Sequence, residues 1–120
     1  MSDNKFQRGV ELFNSGEFFH AHELWEDLWL DETEPEKSFL QGLIQAAAAF
    51  HHYQRGNLDG AQSLLTSAAV KLQRYPREHR GIDAGTLREQ IVFWARALGG
   101  GDNPGRDEQP RIAAASRRSK

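Results

Sequence analysis

Apolar residues recur along most of this chain at intervals of three and four, which places them on one side of an α-helix. Breaks marked by glycine or proline separate five such stretches, and they fall at residues 14–16, 31–35, 55–57 and 75–85. None of the stretches shows the alternating Val, Ile and Thr residues that are typical of a β-strand. The pattern therefore predicts an all-α domain of five helices.

The predicted helix ends carry residues that can bond to unpaired backbone groups. The segments Thr33–Glu36 and Thr86–Glu89 each have the spacing of a capping box. Asn57 is a candidate cap for helix four, and an Asx turn or a helix cap explains Asp83. The predicted helices cover residues 4–14, 17–30, 33–55, 57–75 and 86–98.

Two parts of the chain are similar at an offset of 40 residues. Residues 13–16 run from an aromatic residue to a glycine and are followed by Ala21, and residues 53–56 repeat this order before Ala61. A small residue at that point lets the second helix of a hairpin approach the first, as in tetratricopeptide units. We therefore predict two antiparallel helical hairpins and a capping helix within residues 1–98. A peptide-binding groove between the hairpins is a further hypothesis.

The composition changes after residue 98, where Gly, Pro, Asp, Arg and Ser dominate. Residues 99–120 carry five basic and three acidic side chains, so this segment has a net charge of +2 and the rest of the chain −4. Apart from Ile112 and a few alanines the segment is polar, and it buries too little apolar surface to offset its ordering entropy. We expect it to be a disordered basic tail.

The composition also narrows the classes of function. The 120 residues carry a net charge of −2 and no cysteine. The charge argues against general nucleic-acid binding, and the missing cysteines exclude disulfides, thiol catalysis and iron–sulfur clusters. No apolar run reaches the roughly 18 residues of a membrane span, and charges interrupt the region where a signal peptide is apolar. We expect a soluble, cytoplasmic protein with neither a membrane nor a nucleic acid as its partner.

Helix two carries polar residues within its apolar face. On a helical wheel His22 and Glu26 fall inside the apolar arc, one turn apart, so we expect both to be at least partly buried. A buried carboxylate needs a partner, and helix three carries Gln41, Gln45 and His52 along one stripe. An antiparallel hairpin brings the two sets together. The predicted polar cluster comprises His22, Glu23, Glu26, Gln41, Gln45 and His52, with Trp25, Trp29 and Asn57 as supporting residues.

The stretches FNSGEFFHAHELWEDLW and FLQGLIQAAAAFHHYQRGNLDGAQSLL resemble the bacterial and archaeal family known as domain of unknown function 309. The resemblance covers about residues 6–98 and implies a small all-α fold. It implies no established reaction, substrate or cofactor. The marked positions of the family would here be Gly16, His22, Glu23, Glu26, Trp29, Gly42, Gln45, Gly56, Asn57, Gly60 and Ala61.

Two interpretations of the polar cluster stay open. In the first, a hydrogen-bond network holds helices two and three in register, and the chain is a ligand- or protein-interaction module. In the second, His22 and Glu26 bind a divalent metal with His52 or His51 as third ligand, and Glu23 is the general base of a hydrolase. The second histidine of the two-histidine zinc motif is missing, so we favour the first interpretation, which requires no cofactor.

The last prediction concerns self-association. Phe93 lies off the apolar stripe of helix five and is a candidate contact for a homodimer. No other partner follows from the residues.

Overall fold

The third helix is apolar over most of its surface, and the other helices pack around it. In the computed structural model, which describes residues 2–105 and 108–115, nine residues of this helix are buried. Each helix packs against the next one along the chain, which gives two hairpins followed by a fifth helix. The elements are α1 (Ser2–Asn14), α2 (Phe18–Asp31), α3 (Glu36–Gln54), α4 (Leu58–Leu72), β1 (Glu78–His79), β2 (Ile82–Asp83) and α5 (Ala84–Gly99). The predicted all-α class with five helices is confirmed, and the short antiparallel strand pair β1–β2 is an addition that the pattern did not indicate.

The two hairpin turns share one backbone geometry. Gly16 and Gly56 follow α1 and α3 with φ of +85° and +83°, a conformation that residues with a side chain rarely adopt. Beyond each glycine, an amide bonds to a carbonyl five residues earlier. These bonds run from Glu17 to Leu12 at 2.8 Å and from Asn57 to His52 at 2.9 Å. The repeat at an offset of 40 residues is therefore present in the backbone.

The second helices of the two hairpins are also buried in the same order. Residues 21–30 and 61–70 show the same succession of buried, half-buried and exposed positions. Ala21 and Ala61 are both fully buried. The two hairpins are therefore copies of one packing arrangement.

Two predicted caps form as expected. The side-chain oxygen of Asn57 accepts a hydrogen bond from the Gly60 amide at 3.0 Å, at the start of α4. The Asp83 carboxylate accepts from the amide and the hydroxyl of Thr86 at 2.9 and 2.7 Å, at the start of α5. These bonds hold the pKa of Asp83 below its ordinary value.

The two predicted capping boxes do not form. Helix α3 begins at Glu36 after Pro35, and the amide of Ser38 in its first turn donates to the Glu34 carboxylate at 3.0 Å, so Thr33 is not the cap. Helix α5 begins at Ala84, which moves Glu89 away from the third helical position that a capping box requires. Glu89 instead pairs with Arg77 at 3.0 Å. Both predictions failed because the helices begin at other residues than the sequence spacing indicated.

The chain returns to the helical body after α5. Ile112 is 2% exposed, and the Asn14 side chain bonds to both its amide and its carbonyl, at 2.7 and 2.9 Å. The prediction of a disordered tail over residues 99–120 is therefore wrong for residues 108–115, where bonds to the backbone supplement the small apolar burial. Two parts of the predicted tail lie outside the described residues, namely 106–107 and 116–120.

Candidate functional site

The candidate site lies between α2 and α3. Phe19 of α2 contacts His51 near the end of α3, with their ring centroids 5.1 Å apart. The two helices are antiparallel, and each residue advances about 1.5 Å along its helix. Gln45 and Gln41 precede His51 by six and ten residues, so they lie at the level of residues 25 and 29, which follow Phe19 by the same numbers. We infer that one interhelical face carries the two glutamines and the polar part of α2, because these residues lie at the same level along the two helices. We call it the α2/α3 face.

His22 lies on the α2 side of this face and is half-buried, with 23% of its side chain exposed. Its ring stacks on Phe19 with the centroids 5.7 Å apart, and its Nε2 lies 3.5 Å from a carboxylate oxygen of Glu26. The Glu26 side chain is 54% exposed, so the expected burial of both residues is wrong for Glu26. Its carboxylate stays hydrated at the edge of the face, which avoids the cost of burying a charge. An ion pair this exposed adds little stability.

Three buried polar atoms of the α2/α3 face lack a hydrogen-bond partner among the described residues, and they are His22 Nδ1, Trp29 Nε1 and Gln45 Oε1. The indole nitrogen is a donor, the amide oxygen is an acceptor, and the imidazole nitrogen is either one according to its tautomer. Each buried polar atom without a partner costs about 1–3 kcal/mol. Native proteins contain few such atoms, and water or a bound partner can satisfy these three, which makes the α2/α3 face the candidate site.

The two tryptophans of α2 have different surroundings. Trp29 is half-buried, and the Lys37 ammonium lies 4.1 Å from its ring centroid and donates to its backbone carbonyl at 2.8 Å. Trp25 is fully buried and donates its indole N–H to the Phe6 carbonyl at 3.2 Å. Trp25 therefore supports the core, whereas Trp29 brings an unused donor to the α2/α3 face.

The two histidines near the end of α3 also differ. Burial lowers the pKa of the His51 imidazole below its ordinary value, and the charges of Arg55, His52 and His22 lower it further. His52 bonds through its Nδ1 to the Asn57 side chain at 3.1 Å, at the turn into α4. His51 therefore belongs with His22, whereas the sequence pattern favoured His52.

Phe19 and His51 belong to the face, although the sequence pattern predicted neither in the polar cluster and offered His51 only as an alternative metal ligand. Phe19 precedes His22 by three residues, a spacing that brings side chains together on a helix, so this contact was readable. His51 becomes recognisable only when the register of α2 against α3 is known. Of the other predicted residues, Glu23 is exposed and Gln41 is half-buried.

The metal-site hypothesis finds no support in this geometry. Within residues 2–105 and 108–115, no three His, Asp or Glu side chains are placed to hold a metal ion. His22 and Glu26 are neighbours, but the third proposed ligand, His52, is bonded to Asn57 at the next turn.

An open pocket of about 920 Å³ lies at the end of the bundle where the hairpins turn. Phe18, Phe50, Tyr53 and Trp94 form its aromatic wall, and its described lining residues include no carboxylate, imidazole or cationic side chain. Among the described lining residues the Tyr53 phenol is the one acid–base group, and it is bonded to the Asn103 side chain, so the α2/α3 face remains the candidate site.

The fold and this face define the chain as a small all-α domain built from helical hairpins. Residues 6–64 match the family described as Domain of unknown function (DUF309), which confirms the resemblance over that part of the chain. The three residues of the α2/α3 face that carry unpartnered atoms, His22, Trp29 and Gln45, all lie inside the matched range.

A relative from Aquifex aeolicus (strain VF5), named "Uncharacterized protein", is 35% identical to the chain over 80 residues. The match covers 66% of this chain and 24% of the relative, so the chain spans about a quarter of the relative's length. In the described part of the chain, no helix combines the length and the hydrophobicity that crossing a membrane requires.

Proposed function

We propose that the chain is a protein-interaction module and that its α2/α3 face binds a segment of another protein. The observation that carries the proposal is the group of unpartnered polar atoms at His22, Trp29 and Gln45. One of these atoms donates and one accepts, so the complementary ligand must offer both an acceptor and a donor. A peptide group offers both.

The surroundings of these atoms favour a protein segment as ligand. Phe19 and Leu30 of α2 are 43% and 67% exposed, and such apolar side chains beside polar groups are typical of contact surfaces. His22 and Gln45 are half-buried, so rotation of their side chains brings the unpartnered atoms to the surface. A bound segment then relieves the cost of leaving these atoms unpaired.

Thermal unfolding in the presence of acetylated dipeptide amides tests the proposal. A ligand that binds the folded chain alone raises the melting temperature, and a dipeptide that binds this face should raise it by a few degrees. Trp29→Phe keeps the aromatic ring but removes the indole N–H, and it should abolish most of the shift. Trp25→Phe is the matched control because the indole of Trp25 is already bonded inside the core. The proposal is wrong if no dipeptide raises the melting temperature of the wild type. It is also wrong if a dipeptide raises the melting temperature of Trp29→Phe as much as that of the wild type.

We also propose self-association through α5, because Phe93 is 50% exposed. Phe93→Asp should then sediment as a smaller species than the wild type, and an unchanged mass would contradict this.

A further inference from the structure

We infer that the groove between α1, α5 and β2 is a second peptide-binding site, which the chain fills with its own residues 108–115. This site is separate from the α2/α3 face and does not depend on the function proposed for that face. Its ligand class is an extended peptide in which a proline is followed, two residues later, by an aliphatic residue.

Two side-chain amides of the helices clamp the backbone of the bound segment. Gln90 of α5 donates to the Arg111 carbonyl and accepts from the Arg111 amide, both at 2.8 Å. Asn14 of α1 makes the same pair of bonds with Ile112, at 2.9 and 2.7 Å. A side-chain amide that bonds to both backbone groups of one residue recognises an extended chain whatever its sequence.

The segment continues as an added strand on the β-hairpin. The Asp83 amide donates to the Ala113 carbonyl, and the Ala115 amide donates to the Gly81 carbonyl, both at 2.9 Å. Ile82 and Ala114 form an antiparallel bridge between these two bonds. Strand addition of this kind is a common mode of peptide recognition, because the backbone bonds give affinity whatever the side chains.

Side chains of the segment provide the specificity. Ile112 is 2% exposed and Pro110 is buried, whereas Arg111, Ala113 and Ala114 point to solvent. Upstream of the clamps, the Trp94 indole donates to a backbone carbonyl of the segment at 2.9 Å. The groove therefore recognises the backbone of the segment together with the side chains of Pro110 and Ile112, which defines the ligand class stated above.

The covalent connection to α5 makes residues 108–115 an internal competitor of peptides from other proteins. The covalent connection after α5, which contains Gly100, Gly101 and Gly105, keeps the segment at a high effective concentration near the groove. A peptide from another protein therefore gains access when the internal segment is weakened or held elsewhere.

A fluorescent peptide with the sequence EQPRIAAA, identical to residues 108–115, tests the inference on the full-length chain. Ile112→Asp in the chain weakens the internal competitor, because a buried aliphatic side chain becomes a charge. We expect the peptide to bind this variant at least about tenfold more tightly than the wild type in fluorescence anisotropy. The matched control peptide EQPRDAAA should not bind.

Several outcomes decide the matter. If Ile112→Asp keeps its helical circular dichroism but does not bind the peptide, the segment is only a part of the fold and the inference is wrong. If Ile112→Asp does not fold, Ile112→Ala and the wild type at higher peptide concentration replace it, and absence of binding to both overturns the inference.

The location of the bound peptide is tested by adding Asn14→Ala to Ile112→Asp, or to Ile112→Ala where that variant replaces it. The double variant should lose the peptide binding that the single variant shows. If the double variant still binds the peptide, this groove is not the site. A dimer of the wild type, detected by light scattering and lost in Ile112→Asp, would place the segment in a second copy and contradict occupation within one chain.

Discussion

The second helices of the two hairpins have the same burial and different chemistry. His22 of α2 corresponds to Gln62 of α4, and Glu26 corresponds to Thr66, at an offset of 40 residues. In α4 the Thr66 hydroxyl donates to the Gln62 backbone carbonyl at 3.0 Å and accepts from its side chain at 3.4 Å. In α2 the equivalent face leaves buried polar atoms without partners. The arrangement of the hairpin therefore does not require a histidine and a glutamate at these positions, which points to a role outside the packing.

The core positions of the two copies differ in another way. Trp25 corresponds to Leu65, and both are fully buried. A Cβ added to Gly9 of α1 would lie 2.2 Å from the Trp25 indole nitrogen, whereas the second copy has Ala49 at the equivalent position. A larger side chain on one helix is thus matched by a smaller one on its neighbour, and the two copies keep the same overall packing.

Gly9→Ala should have the largest effect on stability. The new methyl group has to displace the buried indole of Trp25, and overpacking of this kind costs about 1–3 kcal/mol. We expect a loss near the upper end of this range in the free energy of unfolding, measured by urea denaturation. Ala49→Gly is the matched change in the other copy and should cost about 1–2 kcal/mol, because it adds backbone freedom and removes a buried methyl group. Equal losses would refute the compensation between Gly9 and Trp25.

Gly16→Ala and Gly56→Ala should have intermediate and similar effects. Both residues have φ above +80°, where a side chain costs about 1–2 kcal/mol. Gly100→Ala is the control, since Gly100 has φ of −91° at the end of α5. The three variants can be compared in the same urea titration. A loss at one hairpin turn without a loss at the other would break the equivalence of the copies.

The double variant His22→Gln/Glu26→Thr places the α4 residues in α2. Because the two positions are half-buried and exposed, we expect the free energy of unfolding to change by less than about 0.5 kcal/mol. Chemical denaturation measures this change, and the dipeptide-induced rise in melting temperature should fall in the same variant. A loss of 2 kcal/mol or more would show that the pair is needed for packing.

The smallest expected effect concerns the titration of His51. Because the pKa of His51 is lowered in the folded chain, the unfolded chain binds this proton more readily. The contribution of His51 therefore reduces stability as the pH falls below its ordinary pKa of 6.5 and through its folded-state value. NMR titration of its ring protons should give a midpoint below 6.5. A midpoint above that value would contradict the burial of His51 beside His22.

The sequence was sufficient for the helices and for the hairpin repeat, because apolar spacing and the glycines at 16 and 56 are local signals. Helix starts were less predictable, since a glutamate can bind elsewhere in the fold. Glu36, expected to cap α3, binds His79 of β1 at 2.8 Å, and Arg80 lies 3.6 Å from it. A local sequence pattern contains no information about contacts between residues more than 40 positions apart, such as those of Glu36 with His79 and Arg80.

The candidate site could be predicted only in part, because it also depends on contacts between distant parts of the chain. A helical wheel places His22 on the half-buried side of α2, but it does not give the register against α3, so the sequence favoured His52 over His51 as its neighbour. The fit of residues 108–115 was missed because it uses backbone bonds, which leave no mark in the side-chain composition. Polar composition and Ile112 alone indicated disorder, and Asn14 and Gln90 supplied the missing partners.

The indole N–H signals of the three tryptophans provide the most direct test of the claim that the α2/α3 face is an incomplete binding site. Trp25 and Trp94 already donate to carbonyls inside the chain, whereas Trp29 does not. The test is to titrate the ¹⁵N-labelled wild type with N-methylacetamide, which carries one peptide group. The account predicts that the Trp29 signal shifts and approaches saturation while the other two stay in place. A Trp29 signal that does not move, or three signals that move together in proportion to concentration, would contradict it.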